Sequence, residues 1–160
     1  MSGPHIELLQ ADTPELIEIA GKLFREYAQA IATDLEYQGF AAELAALPGP
    51  YAPPSGALLI AYVGDQLAAC AALRALDARI AEMKRLYVRS EYRNAGLGRR
   101  LVAAIIDAAR RGGYAELRLD TLSSMASAQA LYRRLGFIEI PPYSNRRLPG
   151  TRFYSLQLEQ

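Results

Sequence analysis

The chain has 160 residues, 51% of them hydrophobic and 22% charged, with a formal net charge of +1. These values fit one globular domain with room for a substantial core, and a balance so near zero gives no overall field that would draw the molecule to nucleic acid or an anionic membrane. Charge is nevertheless unevenly placed: residues 7–47 hold eight acids and two bases, residues 84–118 nine bases and three acids. The single cysteine, Cys70, sits in the apolar string 67–73, which predicts a buried structural thiol and excludes an internal disulfide. Residues 1–5 lack the basic and apolar segments of a secretory signal, and the longest apolar run, 57–63, is too short to span a bilayer. A cytoplasmic protein with no membrane partner is the expectation.

In chain order, residues 6–9 alternate weakly and predict a short strand. Asp12-Thr13-Pro14-Glu15 has the marks of a helix start, a capping side chain with an early proline and an acid in the first turn. Leu16, Ile19, Leu23 and Tyr27 then recur at helical spacing. A second helical stretch, 43–47, stops at Pro48-Gly49-Pro50, and 48–56 reads as a loop. Residues 57–62 and 66–76 predict a hairpin about Gly64-Asp65, and 77–79 turns into a further strand over 80–88. The run 97–111 carries Leu97, Leu101, Ala104, Ile105 and Ala108 on one helical face and ends at Gly112-Gly113. A strand over 116–122 with Leu117 and Leu119 on one side, a helix over 127–135 closed by Gly136, and a last strand over 153–158 complete the series. Strands first, then strand, helix, strand, helix and strand, imply a mixed α/β sheet with helices on both faces.

The densest chemical signal is Arg93-Asn94-Ala95-Gly96-Leu97-Gly98, followed by Arg99 and Arg100, at a strand-to-helix junction. Two glycines there let several N–H groups approach a ligand, and the unpaired first amides of the helix carry the positive end of its dipole. With three arginines around it, the junction reads as a pyrophosphate cradle. Its glycine offsets match neither the dinucleotide fingerprint nor the P-loop, and no phosphate-loop lysine or acidic metal ligands follow.

The R-x-x-G-x-G spacing resembles the GCN5-related N-acetyltransferase (GNAT) family, where it holds the pyrophosphate of acetyl-CoA. A second pattern supports the resemblance: Ala128-Gln129-Ala130-Leu131-Tyr132-Arg133-Arg134-Leu135-Gly136-Phe137 is similar to the family's A-x-x-L-Y-x-x-x-G-F. The resemblance implies one acetyltransferase domain over 1–160 with a mixed sheet of six to seven strands. It further implies acetyl-CoA as donor, held by Arg93, Asn94, Ala95, Gly96, Leu97, Gly98 and Arg99, with the backbone of Leu86, Tyr87 and Val88 pairing with the pantetheine arm in a gap between the fourth and fifth strands. Dimers are frequent in the family, which leaves a homodimer open by analogy. One departure is visible: members often carry asparagine seven residues before the tyrosine, and here Met125 stands there.

Moving an acetyl group from a thioester to an amine needs a proton acceptor, a donor to the oxyanion and a donor to the departing thiolate. His5 is the only histidine, and no cysteine–histidine cluster exists to bind a metal, so the residues at hand are carboxylates, tyrosines and backbone. Resemblance and chemistry together make Tyr132 the expected general acid. The resemblance makes Glu82 the expected base, since it matches the position of the catalytic glutamate in the histone-acetyltransferase branch of the family. It lies on a strand whose alternation puts Glu82, Lys84, Leu86 and Val88 on one face; a salt bridge to Lys84 or Arg85, with water relaying the proton, is the alternative. The resemblance places the acceptor among Tyr27, Asp34, Glu36, Tyr37, Gln38 and Phe40 on one side and Tyr143, Asn145, Arg146 and Arg147 on the other. Acids there would hold an ammonium and the arginines a carboxylate or phosphate, and surface charge accounts for either equally well. The leading expectation is acetylation of a small-molecule primary amine by direct attack. The alternatives are a protein lysine or N-terminal acetyltransferase and a non-catalytic acyl-CoA-binding module.

Overall fold

The computed structural model describes residues 5–31, 35–93, 95–122 and 125–158. Thr13 accepts a hydrogen bond from the Leu16 amide (3.2 Å) and Pro14 fills the first helical position, so α1 (Pro14–Ala30) starts where its caps predict. Before it runs β1 (Ile6–Gln10); after it come a 3-10 turn (Leu35–Gln38), the short α2 (Phe40–Ala46) and a second 3-10 turn (Gly49–Tyr51). The hairpin forms as expected from β2 (Ala57–Val63) and β3 (Gln66–Ala75), and β4 (Ile80–Val88) follows. Then come α3 (Leu97–Arg111), β5 (Glu116–Thr121), α4 (Ala126–Arg134), β6 (Ile138–Ile140) and β7 (Arg152–Gln157).

The strands form one sheet in the order β1-β2-β3-β4-β5-β7-β6, antiparallel throughout except for the parallel β4–β5 pair. Each face buries its own core. Ala20, Leu23 and Phe24 of α1 pack with Leu58, Ile60, Cys70 and Ala72 on one face. Leu97, Leu101, Val102, Ile105 and Ala109 of α3 pack with Leu73, Met83, Leu117 and Leu119 on the other. Helices therefore cover both faces, and the buried stripe of α1 is centred on Ala20, Leu23 and Phe24 rather than on Tyr27. The three-residue β6 was not expected; it is too short for alternation to show. Among the described residues no helix is long and apolar enough to cross a membrane.

Residues 48–56 fold back on the sheet, where Tyr51 is buried and the Tyr114 hydroxyl donates to the Ser55 carbonyl (2.6 Å). At Gly56 the backbone is so close that a Cβ would lie 2.5 Å from the Pro50 carbonyl oxygen and 2.6 Å from that of Leu73. Neither atom is a yielding side-chain end. Gly56→Ala is expected to lower stability by ~1–3 kcal/mol, read as a lower midpoint in chemical denaturation; an unchanged midpoint would mean that the loop is free to move away from the sheet.

Candidate active site

The site begins where a strand pair stops. Strands β4 and β5 are paired only at Ile80–Glu116, Ala81–Leu117 and Glu82–Arg118, although β4 runs on to Val88 and β5 to Thr121. Beyond Glu82 the β5-facing edge of β4 has no strand partner, which leaves a row of backbone groups able to take an added extended chain. At the same level β4 carries a bulge. Lys84 sits opposite Ala72 and Tyr87 opposite Cys70, so two residues of β4 face one of β3.

Within the bulge Arg85 has φ 61°, an unfavourable conformation for a side chain of this size. Its guanidinium is clamped there. Nε donates to Glu43 Oε2 (2.9 Å), Nη2 to Glu43 Oε1 (2.5 Å) and Nη1 to Gln38 Oε1 (2.7 Å), and the ring of Phe40 lies 5.2 Å away. The Cys70 thiol donates to the Arg85 carbonyl (3.3 Å), and burial pushes its pKa up, so it is structural as expected.

The bulge also corrects the expected facing of β4. Leu86 and Val88 pack on the α3 side with Ala81 and Met83, whereas Glu82 bonds to Arg74 and Tyr143 and Lys84 to Gln38 on the α1 side. One inserted residue reverses the alternation, and nothing in the residue types announces it.

On the α3 side the glycine loop meets the requirements of an anion cradle. Gly96, with φ 79° and open space about its α-carbon, caps α3 without a side-chain hydrogen bond. The first intrahelical bond runs from Arg100 N to Gly96 O (3.2 Å), so the amides of Leu97, Gly98 and Arg99 precede the ladder. A Cβ on Gly98 would meet Leu131 of α4 at 3.6 Å and Val88 of β4 at 3.9 Å, which puts this turn at the meeting of three elements. Ala95 and Arg99 are exposed, and so is Arg93, whose Nε donates to the Val88 carbonyl (3.2 Å). Leu97 is buried in the core, so its side chain is not available to a ligand. Tyr87 turns to the opposite face, where its hydroxyl donates to Glu26 (3.4 Å); its part in any pantetheine contact is backbone. Asn94 lies outside the described residues.

The gap between β4 and β5 opens a cleft whose walls include Tyr27, Gln38, Lys84, Asp120, Met125 and Tyr132. Tyr132 is 4% exposed, set against Phe137 (5.8 Å between ring centres) and Tyr154 (6.1 Å), and burial pushes its pKa up, so the phenol keeps its proton. Met125 precedes α4, and its sulfur accepts from the Thr121 hydroxyl (3.7 Å). The neighbouring Gln129 donates to the Leu122 carbonyl (2.8 Å), a bond that ties the β5–α4 connection.

Of the other expected site residues, Tyr27 and Gln38 line the cleft and Glu82, Phe40 and Tyr143 do not. Glu82 is 3% exposed and fully engaged: Arg74 holds Oε1 (2.9 Å from Nε, 2.8 Å from Nη2) and the Tyr143 hydroxyl donates to Oε2 (2.5 Å). Neither partner is the Lys84 or Arg85 anticipated for a salt bridge. Tyr143 lies edge-on to Phe153, with the Arg118 guanidinium 5.1 Å from its ring. Arg147 folds back onto the Ser144 carbonyl (2.6 Å). Asp34 and the side chains of Glu36 and Tyr37 are outside the described residues.

Sequence reasoning missed the charged residues that do line the cleft, Lys84, Arg85 and Asp120, of which Arg85 is held by Glu43. Leu117 and Leu119 face α3, so Arg118 and Asp120 face α1, and two steps beyond the Glu82–Arg118 pair the register brings Lys84 and Asp120 to the same level. Burial raises the pKa of Asp120, an effect the Lys84 charge opposes, and burial lowers that of Lys84.

Comparison with known proteins fits this geometry. The model of the acetyltransferase (GNAT) family matches residues 15–137, and the chain belongs to that family. An uncharacterized N-acetyltransferase of Schizosaccharomyces pombe is 33% identical over 100% of this chain and 99% of its own length. Among solved structures, a GNAT-family acetyltransferase of Staphylococcus aureus superposes with a TM-score of 0.80 at 22% identity, covering 97% of this chain and 100% of that one. A putative acetyltransferase of Salmonella typhimurium, solved with its cofactor acetyl-CoA, superposes with a TM-score of 0.70 at 20% identity over 97% and 95%. The chain is therefore an acetyl-CoA-dependent acetyltransferase.

If the α3 amides hold the pyrophosphate, Gly98→Asp sets a carboxylate in the first turn, where it suits the helix dipole but repels the ligand. Calorimetric titration should show acetyl-CoA affinity falling by roughly tenfold or more in Gly98→Asp and in Arg93→Glu, with the melting temperature held in Arg93→Glu, whose side chain is exposed. Unchanged affinity in both would move the pyrophosphate elsewhere.

Proposed function

We propose that the protein transfers the acetyl group of acetyl-CoA directly to a primary amine of a small molecule, with Asp120 as proton acceptor and Tyr132 as proton donor. The observation that carries this reading is that both side chains line the one cleft where β4 and β5 separate. In this reading the pyrophosphate lies on the amides of Leu97, Gly98 and Arg99 with Arg93 beside it. The pantetheine arm runs along the open edge of β4, which directs the thioester at the level of Tyr132.

The acceptor arrives as an ammonium and must lose a proton before its lone pair can attack. Asp120 takes that proton, and its burial favours the neutral acid that results. Nitrogen then bonds to the thioester carbonyl carbon while a backbone N–H of β4 donates to the oxyanion, a contact worth about 2.7–4 kcal/mol in comparable sites. Collapse breaks the C–S bond and the Tyr132 phenol protonates the thiolate. The acylated nitrogen gives its second proton to the resulting phenolate and Asp120 passes its proton to water, leaving the amide, free coenzyme A and both side chains in their starting states. Glu82 is given a supporting part: its bonds to Arg74 and Tyr143 tie the segment before β7 to the sheet. A small acceptor is supported by the wall that Tyr27, Ile31 and Gln38 give the cleft on the α1 side.

Thiol release from acetyl-CoA across a panel of small amines and lysine peptides tests the reading; turnover confined to the peptides would overturn the small-molecule acceptor. For an accepted amine, Asp120→Asn should lower kcat by 10²–10⁴-fold without changing acetyl-CoA affinity. A base works only when deprotonated, and the Asp120 pKa is raised, so wild-type kcat should fall on acidification at a pH above the ordinary carboxylate range. That limb should be missing from the Asn variant. Its persistence there would assign the proton to another group.

A further inference from the structure

The α1-facing side of β4 and β5 carries four charged residues in two rows, Glu82 with Arg118 and then Lys84 with Asp120, and of these the second row lines the cleft. The first row is neutralised within the fold, since Arg74 pairs with Glu82 and Glu116 with Arg118 (2.6 Å). The neighbouring bulge residue is neutralised too, by Glu43. The second row is not. Among the described residues neither Lys84 nor Asp120 is in an ion pair, and the hydrogen bond found for the Lys84 ammonium goes to a neutral amide, Gln38 Oε1, at 3.3 Å. Because β4 and β5 part here, the two groups stand on opposite walls of the cleft rather than against each other.

A partly buried ammonium whose opposing carboxylates, Asp120 and Glu82, stand beyond ion-pair distance is costly to keep, and it persists most readily where a ligand supplies a charge in direct contact. The desolvation that lowers the Lys84 pKa expresses that cost. In the reading above the pyrophosphate of acetyl-CoA does not supply that charge, because the α3 N-terminus that suits it is on the other side of the sheet, with Leu86 and Val88. The missing anion therefore belongs to the acceptor.

We propose that the acceptor is a free α-amino acid, its ammonium received by Asp120 and its carboxylate by Lys84 across the parted strands. This rests on the acetyl-transfer reading above and adds to it a requirement for an acid group beside the amine. A zwitterion presents opposite charges one carbon apart, and the two walls present the complementary pair, so neither wall charge stays uncompensated when the cleft is filled. The nearby Gln38 amide, which also receives Arg85 Nη1, fixes the direction from which Lys84 can donate. An amine without a carboxylate leaves Lys84 desolvated and unpaired, which is how the site discriminates.

The test is calorimetric binding to the full chain saturated with coenzyme A, using each common amino acid and, beside it, the corresponding amino-acid amide. At least one acid should bind tenfold or more tightly than its amide, since a charge-assisted contact is lost with the carboxylate. Lys84→Met should bring that ratio to about one. The same substitution removes an unpaired buried charge, so the melting temperature of the free protein should hold or rise, which separates loss of recognition from loss of folding. A ratio near one for every pair, or a preference that survives Lys84→Met, overturns the proposal. Thiol release on the same panel keeps the two readings apart. An acid that binds through Lys84 without being acetylated supports the carboxylate site and contradicts the role of Asp120. Ready acetylation of amides and acids alike supports the transferase and overturns the carboxylate site.

Discussion

The site depends on one local failure of strand pairing. Three residue pairs join β4 to β5, and then the strands diverge while each continues for several residues. Ordinarily such an edge is a liability, because unpaired amides and carbonyls invite another chain. Here it is placed beside the N-terminus of α3, a second set of unpaired amides, and beside the buried phenol of Tyr132. In the proposed reading, backbone geometry provides the cofactor side of the site, and few side chains are needed to complete it.

Holding that opening falls to the bulge at Arg85. A side chain at φ 61° is tolerated because a bidentate carboxylate, Glu43, and the Gln38 amide fix the guanidinium from the segment between α1 and β2. Breaking a buried pair of this kind typically costs 3–5 kcal/mol, more than the ~1–3 kcal/mol of the strained backbone it secures. The bond that holds the strand in its bulged form also brings Gln38 to the cleft wall. Shape of the strand and placement of the acceptor wall are therefore one feature, with Cys70 completing it from β3 through the Arg85 carbonyl.

Much of this was legible in the residues, for reasons that differ by element. Helix α3 was plain because apolar periodicity, a glycine start and a glycine stop all agree over 97–111. The glycine-led start of α3, on which the proposed cradle rests, was plain because glycine is what a positive φ and close backbone approach demand. The facing of Glu82 was misread because a bulge made with arginine carries no glycine to betray it. Asp120 was hidden for another reason: a charge alternating with Leu117 and Leu119 looks like a solvated strand face, and only the divergence of β4 turns that face into a wall. A charged residue at the inward end of a strand just before the tyrosine helix was the available signal. Glu82, by contrast, had a plausible position on its strand, but its partners, Arg74 and Tyr143, come from elsewhere in the sequence.

Amide hydrogen exchange with and without acetyl-CoA tests the central claim most directly. If the parted strands and the α3 N-terminus form the donor site, acetyl-CoA will slow exchange selectively in β4 from Lys84 to Val88 and in the amides of residues 97–99. Exchange in β1, β2 and the 48–56 loop will be unaffected. Protection spread over those distant segments, with β4 beyond Glu82 unchanged, would contradict the account and place the cofactor elsewhere on the fold.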